Sequence, residues 1–161
     1  MELGSPLPSV VEAWVAALQR RDVLDWGGIA LRITGVSIVD PPAFGCGRAR
    51  MRTETPVVMK SPPSNQLPGQ TWVLPAEPEF PTLFNNNLVR KAKTLGLAPD
   101  IGLDGIVWVG PKRSFAVKGG AKPGATVDVA LSGDPQVLQA LWSWGLGQAN
   151  AAGFGWIGAA Q

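Results

Sequence analysis

No histidine and no tyrosine occur in this 161-residue chain, and Cys46 is its one cysteine. Without imidazole, histidine-based catalysis, thiol–imidazole pairs and zinc ligand clusters are excluded, and a lone thiol excludes a disulfide within the chain. Charge is nearly balanced: fourteen Lys and Arg against twelve Asp and Glu leave a net +2, with an isoelectric point of about 9.0. That balance permits a polyanionic partner without demanding one. No stretch approaches the length of a membrane span, so no membrane partner is expected. The first apolar run is interrupted by Glu12 and followed by Arg20 and Arg21, the reverse of a signal peptide. A cytoplasmic, reducing setting is the expectation, and it suits an unpaired cysteine.

What is present is enough to bury a core: 45% of the residues are hydrophobic. Seven tryptophans supply much of the aromatic content, and filling the core is the expected role for most of them. Val10, Val11, Trp14, Val15 and Leu18 fall at helical spacing between Leu7 and Arg21, with Ser9 as the expected cap. Ile29 to Val39 alternates between glycine and proline boundaries and reads as a strand. In the next strand Arg48, Arg50 and Arg52 alternate with Ala49, Met51 and Thr53, which puts three guanidinium groups on one face. Ser61 to Pro81 is so rich in proline that it reads as loop.

A helix is expected from Leu83 to Leu95, ended by Gly96, and strands at 106–109, 113–118 and 126–131. Asp134 then caps a helix with Pro135 in its first turn, and Gly145 ends it. Residues 154–157 make a last short strand. Strand, helix, two strands or a broken pair, helix and strand in this order form a βαββαβ unit. The fold class is therefore α+β, ferredoxin-like. Residues 46–161 hold one complete unit and residues 1–45 the trailing helix and strand of an incomplete first one, whose sheet edge needs partners.

Gly145-Leu146-Gly147 and Gly153-Phe154-Gly155 repeat a glycine–hydrophobic–glycine triplet across five residues. Paired glycines let the backbone take positive φ and let a polyanion approach the amide groups with no Cβ in the way. This loop resembles the C-terminal glycine-rich loop of RAMP proteins, and Gly153 to Ile157 resembles the ending of the CRISPR repeat-RNA endoribonucleases, Cas family six. Thr55 to Met59, Leu83 to Lys91, and Phe115 to Leu131 resemble the opening strand, first helix and central hairpin of that family's second ferredoxin unit. The likeness covers most of the chain from about Leu7.

The resemblance implies a place in antiviral defence and a metal-independent reaction that needs no cofactor. In it the ribose 2′-oxygen attacks the neighbouring phosphate, giving a cyclic phosphate and a free 5′-hydroxyl. It also implies two ferredoxin units, with a catalytic histidine commonly on an early helix of the first. This chain aligns from the second helix of that unit onward, and it has no histidine. No catalytic residue is assigned, so whether it is an enzyme stays open. Lys60, Lys91, Lys93, Lys112, Lys118 and Lys122 enter as bases only by exclusion. Glu77 with Glu79, and Asp100 with Asp104, lie in turns and make no acid–base pair.

Binding is better supplied. The expected RNA contacts are Arg48, Arg50, Arg52, Lys118, Lys122, Gly145, Gly147, Gly153, Phe154 and Gly155, with arginine forks matched to phosphate. The reading is a binding or scaffolding subunit for CRISPR repeat RNA or crRNA, joined by another chain that completes the first unit or by an effector complex. A self-sufficient endoribonuclease using lysine and arginine is one alternative, and a protein–protein adaptor is the other.

Overall fold

The structure is a computed structural model describing residues 1–62, 71–117 and 120–158. Its centre is an antiparallel sheet in which β9 (Val127–Gly133) lies between β3 (Arg48–Arg52) and β6 (Ile101–Val109). On the free side of β3, Thr53 bridges antiparallel to Ile157. Fourth, first, third and second strands thus stand side by side, the order of a ferredoxin-like unit.

Period-two alternation sorts β3 and β9. Met51, Val127, Val129 and Leu131 point to one face, where α2 (Phe80–Thr94) and α3 (Pro135–Trp144) cover them with Phe80, Phe84, Leu88, Val137, Leu138 and Leu141. Each of these aliphatic or aromatic side chains contributes about 1.5–3 kcal/mol on full burial. The other face keeps the three arginines.

β6 follows a different rule. Asp104 and Val107 have no partner on β9, so Gly102, Gly105 and Trp108 share the arginine face while Leu103, Ile106 and Val109 turn toward the helices. The resulting period of three hides this strand from an alternation test, which found only 106–109.

The helices start and stop largely as expected. The Asp134 carboxylate accepts from Gln136 N at 2.7 Å, and Gly145 (φ 90°) ends α3. α2 begins a turn earlier than expected, because Pro81 is tolerated in a first turn. α1 (Pro8–Leu18) has Leu7 rather than Ser9 at its N-cap, and none of its residues is buried.

The expected strand 29–39 shortens to β2 (Ile29–Arg32). It pairs with β1 (Val23–Trp26) through a Gly27-Gly28 turn, and Ile33 onward finds no strand partner. Residues 113–117 form β7, paired with β8 (Gly120–Gly124) in a hairpin outside the main sheet. Within the proline-rich stretch read as loop, β5 (Trp72–Val73) pairs with β4 (Met59–Lys60). The last strand reduces to Ile157, since Gly153 and Gly155 adopt positive φ. None of the seven tryptophans reaches full burial, contrary to their expected core role. No helix among the described residues is long and apolar enough to cross a membrane.

Candidate nucleic-acid interface

The open sheet face forms the floor of a cavity of about 990 Å³ bordered by Arg48, Arg50, Arg52, Arg113, Trp108 and Asp128. β-strand periodicity delivers the arginines there as expected. Asp128 sits on β9 directly opposite Arg52 on one side and Trp108 on the other. Arg50 Nε donates to Asp128 Oδ1 at 2.9 Å and Nη2 to Oδ2 at 2.7 Å. The Arg52 guanidinium lies over the Trp108 ring, 4.8 Å from its centroid. Hydrogen bonding by Arg50, then the charges of Arg50 and Arg52, holds the Asp128 carboxyl below its ordinary range against the opposing effect of burial, and the same fork raises Arg50. The cavity therefore carries four guanidinium groups against Asp128 and Glu54. That is a positive, polar concavity suited to a phosphate chain.

The glycine loop is built differently. Gly145, Gly147, Phe154 and Gly155 are buried, while Gly153 is exposed. The amide of Leu146 donates to Gly155 O, Gln148 to Val58 O, Gly153 to Asn150 O and Gly155 to Pro56 O. Asn150 Nδ2 ties the two triplets together by donating to Leu146 O (3.0 Å) and Phe154 O (2.9 Å). These groups are occupied within the protein, so the expected display of amides to phosphate does not describe them. Gly145, Gly147 and Gly155 answer to packing: a Cβ on Gly155 (φ 66°) would collide with Leu146 O.

Lys91 closes the loop from beneath. Only 5% exposed, it donates to Gly145 O at 2.6 Å and Asn150 Oδ1 at 2.7 Å, and its ammonium lies 4.8 Å from the Trp144 ring centroid. Burial, with Arg90 adding repulsion, lowers its pKa to about 7. Asn87, oriented to satisfy both ends, donates to Gly147 O and accepts from Arg90.

Lys122 reaches the Phe154 ring (5.8 Å), and Phe115 packs edge-on against it, so the β7–β8 hairpin seats on the loop. Lys118 lies outside the described residues. The structure thus separates the expected RNA contacts into an arginine cavity and a loop with Lys122, and none of the latter borders the former.

Asp128, Trp108 and Asn150 were missed from sequence. Asp128 carried a signal, an acid inside the apolar run Val127 to Leu131. Lys91 stood among the lysines but was not distinguished, although it lies seven residues after Phe84 on the buried stripe.

A family model described as "CRISPR associated protein Cas6, C-terminal" matches residues 39–158. Among curated proteins none matches. Three solved structures share the fold over 98% of this chain. One is a Cas6-related gene product from Pyrococcus furiosus (13% identity, TM-score 0.76) and another a CRISPR associated protein Cas6 (19%, 0.78). The third is described as a RAMP protein binding different RNA substrates (13%, 0.72). The chain spans 66% of the length of the first two and 67% of the third. On the matched family model, with a ferredoxin-like sheet closed by a double-glycine loop, the chain belongs to the Cas6 family of RAMP proteins.

Proposed function

We propose that this chain holds CRISPR repeat RNA along the arginine cavity as a binding or scaffolding subunit and does not cleave it unaided. The observation that carries the reading is the convergence of Arg48, Arg50 and Arg52 on one open sheet face, with Arg113 at the rim. Phosphate neutralisation by these forks supplies affinity, and the similar RAMP structure described as binding different RNA substrates supports RNA as the partner. Lys122 on the hairpin extends the basic surface beyond the cavity.

The lysine-base alternative loses support. Among the described residues Lys91 is the lysine brought near neutrality, and it is turned into the loop with two N–H bonds already made. The composition has no imidazole to take the role.

A protein partner is also proposed. Residues 1–45 act as the trailing part of a first ferredoxin unit and residues 46–161 as the complete second one. Val23, Trp26 and Ile29 of the β1–β2 hairpin are exposed, an apolar surface that a partner supplying the rest of the first unit would cover.

The test is fluorescence anisotropy and gel analysis of a labelled repeat RNA with the isolated chain, in EDTA, at two salt concentrations. Expected is salt-sensitive binding, weakened by Arg48→Ala, with intact RNA. Absence of binding would sink the proposal, and cleavage by the chain alone would replace it with the enzyme reading.

A further inference from the structure

A carboxylate is out of place in a cavity meant only for phosphate. Asp128 is 7% exposed at its side chain and lies at the centre of the arginine group, where it weakens the field a phosphate meets. Anchoring Arg50 is a poor reason for it, since Arg50 is 66% exposed and its neighbours Arg48 and Arg52 are displayed without such a fork. The acid becomes intelligible from what its two oxygens are shaped to accept.

The group they hold is an H–N–C–N–H fork, two parallel donors on one planar carbon. Among the bases of RNA, guanine alone presents that unit on its Watson–Crick edge, as N1–H and N2–H. Adenine and cytosine place an acceptor beside their donor, and uracil flanks its donor with two carbonyls. An acceptor pressed against a buried carboxylate leaves that charge unpaired, and the penalty for this exceeds the value of a normal hydrogen bond.

The second contact of a bound base is also present. Trp108 lies directly across from Asp128, its ring covered by the planar guanidinium of Arg52, the position a stacked base would take. Gly102 and Gly105, on the same face of β6, add no side chain beside it.

We propose that Asp128 and Trp108 form a guanine-selective subsite for a single-stranded nucleotide, in which Arg50 and Arg52 occupy the two positions the base takes when bound. The proposal rests on the RNA reading above and adds a substrate preference to it. On binding, the guanine edge replaces the Arg50 fork on Asp128, and the released guanidinium turns to the adjoining phosphate. Charge stays balanced on both sides of the exchange.

The experiment measures affinity of the full chain for a short oligouridylate carrying one central guanosine, adenosine or inosine, by anisotropy at fixed salt. Guanosine is expected to bind about tenfold or more tightly than adenosine, and inosine, lacking the N2 amino group, to lose most of that advantage. Asp128→Asn equalises guanosine and adenosine without weakening the adenosine oligomer, because it removes a negative charge. Arg50→Ala lowers affinity for every oligomer and keeps the guanosine preference, and exposed Trp108→Ala weakens guanosine and adenosine alike. Equal binding of guanosine and adenosine by the parent, or a preference surviving Asp128→Asn, overturns the subsite and leaves the RNA reading standing. No binding to any oligomer removes both.

Discussion

The arginine cavity and the glycine loop have opposite relations to solvent. In the cavity, charged side chains project from a rigid sheet into open space, and their strongest internal bond, the Arg50–Asp128 fork, is half exposed and can be exchanged. In the loop, polar groups face inward, and Lys91, Asn150 and the backbone satisfy one another behind buried glycines. A basic sheet face can receive a ligand because its guanidinium groups are exposed and the bonds they make can be exchanged. A glycine-rich turn whose amides are committed works instead as a clasp, holding the end of α3 against the strand segment from Pro56 to Val58.

The sharpest way to break this contrast is to open the clasp. Gly155→Val introduces a collision with Leu146 O at positive φ and is expected to cost more than about 3 kcal/mol, read as a large fall in the urea midpoint. Lys91→Met leaves Gly145 O and Asn150 Oδ1 without their donor, for a loss of about 1–3 kcal/mol per buried group. If either change reduced RNA affinity while leaving stability untouched, the loop would be a ligand site and the contrast would fail.

Lys91 also gives a pH signature. Its folded pKa, about 7, lies below the ordinary lysine value of 10.5, so above pH 7 the folded chain releases a proton that the unfolded chain keeps. The unfolded state then binds more protons, and stability contributed by this group climbs from pH 7 toward the ordinary lysine range. Urea titrations of the parent should show that climb, and Lys91→Met should lack it. The neutral amine still has N–H groups for both acceptors, so the clasp persists through the transition.

Smaller effects come from the cavity and the loop tip. Arg52→Ala is expected to leave the urea midpoint almost unchanged and to reduce the magnitude of the salt slope of RNA binding by about one phosphate contact. Gly153→Ala meets no neighbour and carries only the cost of a left-handed backbone, about 1 kcal/mol.

Much of this was readable from residue spacing. The period of two in Arg48, Arg50 and Arg52 placed the cationic face, and the Asp134-Pro135 and Gly145 signals bounded α3 almost to the residue. The double-glycine triplet led to the right family, but the internal hydrogen bonds of several of its amides were not legible in it. Sequence shows where a backbone can turn and not which carbonyl will be waiting for its N–H. Lys91 escaped notice because a lysine next to Arg90 looks like a solvated pair, and its burial depends on a loop more than fifty residues away. Asp128 and Trp108 meet only through the register of β6 against β9, which no local pattern encodes.

That register has a consequence for insertions and deletions. The nine residues of β6 run alongside the seven of β9, and the surplus at Asp104 and Val107 sets which face every later residue occupies. Loss of Val107 would remove a residue that has no partner on β9, leaving Ile106 opposite Val129, Trp108 opposite Asp128 and Val109 opposite Val127. In this sheet the two unpaired residues of β6 can therefore absorb a deletion of one residue while Trp108 keeps its place in the cavity wall.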